Sequence, residues 1–336
     1  MEKMTKASRF YLLFILVMTA AVLASCGGNS DGDNSEAKND SNEDVEGFPV
    51  TIENSGREMT FEEPPERVVA LYQQEAELFA ALGLEDKVVG YSIVTEDTPD
   101  EYKDQIEEMD VISEDDYPSK EVMLEKDPDF VIGSERTFQD NGVGSIEELD
   151  ELGIDAYATE SEKPETVDNM VYKQIEEISE IFGVEDRGDE LIEDMKADID
   201  EITEKVDDVD DPVKVLVMSG GESSSAQVSG GASLDSYLVE LAGGENVFAD
   251  EDEYLFEASW EEIVERDPDV IVTSFCCGTG PDDLEKVLEN SDSMKDVTAV
   301  KENNYVAAQV EDTTGNVRVT RGLEKLAKGF YPDKFD

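Results

Sequence analysis

The chain has 336 residues, of which 86 are Asp or Glu and 26 are Lys or Arg, so its formal net charge is -60. Such a charge repels nucleic acids and anionic membrane surfaces, which excludes electrostatic binding to nucleic acid. The acids are spread along the whole length, and we interpret them as a solvated surface adapted to high salt, which screens their repulsion. Storage of cations is the alternative. The length exceeds one typical domain and predicts two compact lobes.

Residues 1–25 have the pattern of a signal peptide. Lys3, Lys6 and Arg9 precede an apolar run at residues 11–22 that is short for a membrane span. The following Leu23-Ala24-Ser25-Cys26 resembles a bacterial lipobox, in which the cysteine is lipidated and the preceding peptide is removed. The resemblance implies an extracytoplasmic protein held to the cell membrane by acyl chains on Cys26. The alternative is an ordinary secreted protein with an unmodified cysteine.

Residues 26–47 are predicted to form a flexible acidic linker, because they contain almost no large apolar side chain that could offset the entropy of ordering. The folded part is predicted to begin at residue 48. It divides into an N-terminal α/β lobe at 48–185, a connecting helix at 186–208 and a C-terminal α/β lobe at 209–336.

Alternating patterns predict the first lobe. Strand-like residues on both sides of Asn54-Ser55-Gly56 indicate a hairpin, and short apolar strands then alternate with helices at the spacing of parallel crossovers. The predicted strands are 48–52, 57–61, 68–71, 88–91, 130–133 and 154–157, and the first helix is 75–82.

Two helices are predicted next, at 167–182 and 187–206, and the second is the connecting helix. The second has apolar residues at helical spacing over its whole length, and at about 1.5 Å per residue it would run roughly 30 Å. Strand-like residues resume at 213–218, after Asp211-Pro212, and begin the second lobe.

A segment of fourteen residues occurs twice, at 119–132 and 259–272, with six identical positions at an offset of 140 residues. Each copy has a Ser suited to an N-cap, a short amphipathic helix, a Pro that ends it and an apolar strand. One such unit in each lobe predicts that the two lobes are related. The alternative is that this common connector is repeated by chance.

Together these features resemble the solute-binding proteins of ABC importers for iron-siderophores, cobalamin and haem, whose two lobes are joined by one rigid helix. The resemblance is carried by segments spread over most of 48–335: Pro65-Glu66-Arg67-Val68-Val69-Ala70-Leu71, Ala76-Glu77-Leu78-Phe79-Ala80-Ala81-Leu82-Gly83, Asp127-Pro128-Asp129, Leu241-Ala242-Gly243-Gly244-Glu245-Asn246-Val247-Phe248-Ala249-Asp250 and Ser259-Trp260-Glu261-Glu262.

The resemblance implies a fold and a set of partners. The fold is two α/β lobes with a ligand cleft between them, joined by one long helix. The partners are a ferric siderophore or related metal chelate, an ABC permease and its ATPase. In the family one exposed Glu on each lobe docks into basic pockets of the permease, and the matching positions here are Glu121 and Glu261.

Ligands of open α/β sheets bind outside the carboxyl ends of the strands, so the loops at those ends should line the cleft. In the second lobe these are the loops at 219–221, 275–278 and 312–318. Because ferric siderophores are commonly anionic, Arg side chains there would supply charge and planar hydrogen bonding, and Tyr side chains would form aromatic walls. Surface Arg and edge-packed Tyr are the alternatives. The predicted ligand-binding residues are Tyr72, Gln73, Tyr91, Arg136, Tyr254 and Arg318.

The chain contains no His, which disfavours a bare metal site or an axially ligated haem and favours a pre-chelated metal, so we expect no protein-bound metal or cofactor. Adjacent Cys276 and Cys277 could be packed thiols or a strained vicinal disulfide. We find no nucleophile, base and orienter arrangement, so we expect no enzyme. A corrinoid receptor is the nearest alternative function, and a surface enzyme or adhesin is a more distant one.

We expect Cys26→Ser to abolish lipidation, because no other cysteine follows the apolar core of a signal peptide. Incorporation of labelled fatty acid by cells that produce the variant measures this. Label in the Cys26→Ser protein at the wild-type level would contradict the lipobox.

Overall fold

A computed structural model describes residues 47–95, 97–139, 142–159, 165–221, 224–275 and 280–335. The predicted signal peptide, Cys26, all but the last residue of the linker, Cys276 and Cys277 lie outside the described residues. Those that are described belong to one unit, Asp44–Asp336. Across the described ranges no helix is both long enough and apolar enough to cross a membrane.

The described chain begins with the predicted hairpin. Strands β1 (Val50–Asn54) and β2 (Arg57–Phe61) pair antiparallel, with Val50 opposite Phe61. Side chains alternate between buried and exposed along β1, which places its apolar face on the lobe. Asn54 fastens the hairpin to the adjoining sheet, since its side-chain amide donates to the Ala158 carbonyl at 2.8 Å and accepts from the Ala158 N–H at 2.9 Å.

The first lobe is built on a parallel sheet of five strands in the order β5-β4-β3-β6-β7. Its central strands β3 and β6 are continuous apolar runs because both of their faces are covered. The strands are β3 (Val68–Ala70), β4 (Val88–Ser92), β5 (Val111–Ser113), β6 (Phe130–Ser134) and β7 (Asp155–Thr159), and the helices are α1 (Gln73–Ala81), α2 (Lys103–Glu108), α3 (Lys120–Leu124) and α4 (Ile146–Glu151).

Two helices follow this sheet in sequence. A π-helical turn at Asp168–Tyr172 leads into α5 (Lys173–Ile181), and α6 (Glu185–Val206) follows with 22 residues. Helix α6 spans about 33 Å and buries its apolar stripe, including Ile192 and Ile202. The two predicted helices are therefore confirmed, with the π-helical turn as an addition.

The second lobe carries a mixed sheet in the order β11-β9-β8-β12-β13, and β10 also pairs with β8. Strand β9 runs antiparallel to both β8 and β11, whereas β8, β12 and β13 are parallel. The elements are β8 (Val213–Gly221), β9 (Ser225–Ser229), α7 (Leu234–Leu241), β10 (Gly244–Asn246), β11 (Leu255–Ser259), α8 (Trp260–Arg266), β12 (Val270–Phe275), α9 (Pro281–Asn290), α10 (Thr298–Glu302), β13 (Tyr305–Gln309), α11 (Val310–Thr313) and α12 (Val319–Phe330).

The two copies of the repeated segment have the same local structure. Ser119 accepts the Val122 N–H and Ser259 accepts the Glu262 N–H, each at 3.3 Å, so both predicted N-caps are confirmed. Position by position, residues 121–130 and 261–270 have the same degree of burial. Thus the sequence repeat is also a structural repeat.

Both repeated helices are followed by an Asp in the left-handed region directly before the Pro. Asp127 has φ of 50° and Asp267 has φ of 44°. A residue before Pro is disfavoured in the right-handed helical region, so the chain must leave the helix there. Asp267 is the C-cap of α8, whereas α3 ends at Leu124 and Asp127 follows three residues later.

A second aspartate in each copy holds the next strand in place. The Asp129 carboxylate accepts the N–H groups of Glu66 and Arg67 at 2.9 and 2.8 Å, just before β3. The Asp269 carboxylate accepts the Lys214 N–H at 3.0 Å in β8. These contacts fix β3 beside β6 and β8 beside β12 in the same way.

We expect Asp129→Ala and Asp269→Ala to lower the free energy of unfolding by about 1–2 kcal/mol each, because backbone donors lose a charged acceptor. Asp129→Ala should cost more, since that carboxylate accepts two N–H groups. Urea unfolding at one fixed salt concentration measures both. The controls are Glu125→Ala and Glu265→Ala, exposed and equivalent in the repeat, which should stay within about 0.5 kcal/mol of the parent. Equal losses in controls and test variants would contradict the assignment.

Candidate ligand-binding cleft

The two lobes are joined by a buried ion pair between Glu77 of α1 and Arg318, which precedes α12. Both side chains are fully buried. Arg318 Nε donates to Glu77 Oε2 at 2.6 Å, its Nη2 donates to Glu77 Oε1, and Nη2 also donates to Thr95 Oγ1 at 2.8 Å. A pair between residues 241 positions apart fixes the distance between the lobes at this point.

Gln73 completes the hydrogen bonding around Glu77. Its amide nitrogen donates to Glu77 Oε1 and to Thr98 Oγ1, both at 2.8 Å. Its amide oxygen accepts the Thr95 N–H at 3.0 Å. Gln73 therefore links α1 to the segment after β4 that also contacts Arg318.

Tyr91 lies in the same region, at the carboxyl half of β4. It is 3% exposed and packs in the main hydrophobic core of the protein. Burial raises its pKa, and the negative charge of Glu77 raises it further. The phenol is therefore a protonated core group.

A second contact between the lobes is centred on Asp312 of α11. Its buried carboxylate accepts from Arg321 Nε at 2.9 Å and from Lys325 Nζ at 2.8 Å, both on α12. Arg321 also pairs with Asp97 of the first lobe, at 3.2 Å. Two cations at the start of α12, Arg318 directly before it and Arg321 in its first turn, thus contact the opposite lobe.

Glu165 provides a third contact. Its N–H donates to the Ala232 carbonyl at 3.0 Å, and its carboxylate accepts the Leu234 N–H at 3.1 Å. Leu234 is the first residue of α7, so the carboxylate satisfies an otherwise unpaired donor at a helix N-terminus.

Tyr72, another predicted cleft residue, belongs to the first lobe. It is partly buried at the carboxyl end of β3, and its ring packs edge-on against Tyr117 with 5.3 Å between ring centroids. Its hydroxyl contacts the hydroxyl of Tyr117 and that of Ser134, the latter at 3.4 Å. Because Ser134 is the last residue of β6, this contact joins the ends of the two central strands.

Arg136 and Tyr254 come from opposite lobes. Arg136 is exposed in the turn directly after β6, and Tyr254 is 40% exposed just before β11. The pKa of Tyr254 is raised to about 12, first by burial and then by the charges of Asp235 and Glu165, against the opposing charge of Arg136.

The six predicted ligand-binding residues thus fall into two groups. Tyr72, Arg136 and Tyr254 keep accessible surface, and their place in the cleft stays a prediction. Gln73, Tyr91 and Arg318 are only 1–3% exposed and gather around Glu77. Ligand contact by this second group would require the lobes to separate, and it stays a prediction.

Glu77 is the residue that the sequence analysis missed. Its signal was an acid within the apolar run 76–80, where every neighbour has the character of a buried residue. A carboxylate is stable in such a place only with a partner that balances its charge.

The described residues also form two open cavities, of about 520 and 290 Å³. The larger adjoins the amino end of β4 and helix α2, and the smaller lies between the π-helical turn, α6 and α7. Neither is lined by any of the six predicted residues. The candidate cleft is therefore located by strand ends and contacts between the lobes and not by cavity size.

Glu121 and Glu261 lie away from these contacts, in the first turns of α3 and α8. Both are exposed, and neither carboxylate has a hydrogen-bond or ion-pair partner among the residues that the structure describes. Their equivalent positions follow from the structural repeat.

Two α/β lobes that are joined by a long helix and face each other across a cleft define a solute-binding protein. Residues 68–309 match the family model described as periplasmic binding protein, and the chain belongs to this family.

Three relatives illustrate the family. The chain is 29% identical to the uncharacterized ABC transporter substrate-binding lipoprotein YvrC of Bacillus subtilis over 324 residues, which cover 95% of this chain and 96% of that protein. It is 24% identical over 212 residues to the vitamin B12-binding protein of Vibrio parahaemolyticus, which cover 63% and 72%. A crystal structure of an ABC-type Fe3+-hydroxamate transport system from Saccharomonospora viridis has a TM-score of 0.72 and 26% identity, over 84% of this chain and 99% of that one.

We expect Arg318→Met to lower the free energy of unfolding by about 3–5 kcal/mol, because it leaves Glu77 buried without a partner. In Glu77→Leu combined with Arg318→Met most of this loss should be recovered, since no unpaired charge remains. Urea unfolding measures both, and the control Arg136→Met, at an exposed site, should stay within about 0.5 kcal/mol. If Arg318→Met were as stable as the parent, the ion pair would not hold the lobes together.

Proposed function

We propose that this protein is the solute-binding lipoprotein of an ABC importer and that it captures a ferric-siderophore-type iron complex between its lobes. The observation that carries the proposal is Arg136, an exposed cation in the turn after the carboxyl end of β6. The chain has only 26 basic residues against 86 acids, so a cation at this position indicates an anionic ligand.

The side chains at the cleft suit a metal that is already chelated. Arg136 can bind carboxylate or hydroxamate oxygens through several N–H donors. Tyr72 and Tyr254 offer aromatic surface, and the raised pKa of Tyr254 keeps its hydroxyl a hydrogen-bond donor at neutral pH. With no His in the chain, shape and hydrogen bonds are the means of holding such a ligand.

Delivery would use the repeated surface. Glu121 and Glu261 are exposed at equivalent positions on the two lobes, which fits a permease that presents two equivalent basic pockets. An acyl chain on Cys26 would keep the protein at the membrane, beside the permease and its ATPase. The lipoprotein name of the Bacillus subtilis relative supports this anchor.

A corrinoid is the second candidate ligand. The similarity to a vitamin B12-binding protein favours it, and its binding would depend less on a cation in the cleft than on the aromatic surface of Tyr72 and Tyr254.

Titration of the purified protein with a ferric hydroxamate, an anionic ferric catecholate and cobalamin tests the proposal. Bound ferric chelate should quench the fluorescence of Trp260 and the tyrosines. Arg136→Gln should weaken binding of the anionic chelate about tenfold or more, because a charged hydrogen-bond donor is lost. The matched control is Lys87→Gln, at the opposite end of the same sheet, which should bind as the parent does. Quenching by cobalamin alone, with no response to either ferric chelate, would contradict the siderophore proposal.

A further inference from the structure

Beside each proposed docking glutamate the structure exposes an aliphatic side chain. Leu124 is 37% exposed and Val264 is 36% exposed. They lie three residues after Glu121 and Glu261 and occupy the same position of the repeat, 140 residues apart. Seven large hydrophobic side chains are exposed in the described part of the chain, and these two alone among them are repeat equivalents.

Glu121 and Leu124 lie on one face of α3, and Glu261 and Val264 lie on one face of α8, because positions i and i+3 are neighbours on a helix surface. The intervening Met123 and Ile263 are fully buried and anchor the helices to their lobes. The N-caps described above fix the helix starts, so both lobes present an acid and an aliphatic group in the same local arrangement.

A single exposed Leu or Val needs no explanation, since much of any protein surface is apolar. The same apolar exposure at equivalent positions on both lobes is different, because it gives the protein two matched surfaces. Two matched surfaces fit a partner that is itself built from two equivalent halves.

We propose that Leu124 and Val264 are the apolar half of the docking surface for the importer's permease, each entering an apolar patch beside a basic pocket. This inference rests on the proposed function. Ion pairs from Glu121 and Glu261 would weaken in high salt, where the Debye length falls to about 3 Å at 1 M. Apolar burial is not screened by salt, and excluded salts strengthen it. The aliphatic pair therefore maintains docking in the conditions to which the net charge of -60 points.

The test is the affinity of the protein, purified from membranes, for its permease and ATPase complex in lipid nanodiscs at about 0.15 M and about 1 M NaCl. Leu124→Ser combined with Val264→Ser should lose about tenfold or more in affinity, and the loss should persist at the higher salt. Glu121→Gln combined with Glu261→Gln should lose affinity at the lower salt and approach the parent at the higher.

Leu152→Ser is the matched control, because Leu152 is 54% exposed on the first lobe and lies outside the repeat. It should bind the importer as the parent does at both salt concentrations. Circular dichroism and ferric hydroxamate affinity check that each variant is folded. Should the Ser pair fail to fold, Leu124→Asn with Val264→Thr replaces it, since Thr has nearly the shape of Val.

A folded aliphatic variant that binds like the parent at both salts, while the Glu variant loses affinity at the lower salt, would overturn the inference and leave the docking of Glu121 and Glu261 intact. No binding of the unaltered protein to the importer, together with no import of the ferric hydroxamate, would overturn the proposed function and the inference with it.

Discussion

The ion pair of Glu77 and Arg318 is the interaction on which the geometry of the cleft depends. A buried ion pair contributes little net stability, because removing two charges from water costs about as much as their attraction returns. Its value here is positional, since Gln73 and Thr95 hydrogen-bond to the pair and orient it. Arg318 Nη1 is buried with no hydrogen-bond partner among the described residues, so part of the free energy of desolvating the guanidinium is not offset.

The repeated unit gives the two lobes matching exposed helix faces. In both lobes a Ser begins the helix, an Asp in the left-handed region stands directly before the Pro, and a second Asp holds the adjoining strand. The two exposed helix faces are consequently alike although the sheets differ, the first being parallel and the second mixed. This likeness is what makes a partner with two equivalent halves a reasonable expectation.

Much of the fold could be predicted from the sequence. The central strands are continuous apolar runs, and α6 has apolar residues at helical spacing along its whole length, so local patterns were sufficient. The antiparallel β9 and β11 were not predicted, because a short strand with polar residues such as Ser225–Ser229 has no distinctive pattern and is stabilised by its neighbours. For the site, the strand-end rule predicted Tyr72 and Arg136 as cleft residues, and each lies two residues beyond the carboxyl end of a central strand.

By itself the sequence determined the repeat, its caps, the strand ends and the exposed acids, because each of these is decided by contacts within a few residues. Only the tertiary structure decided that Gln73, Tyr91 and Arg318 gather around Glu77. An acid in an apolar helix requires a partner that balances its charge, but any of several cations could serve. The tertiary structure brings Arg318 to Glu77, although the two residues are 241 positions apart in the chain. No local sequence pattern predicts a contact over such a separation in the chain. The folded structure was therefore needed to tell the side chains that hold the lobes together from those that are predicted to face the ligand.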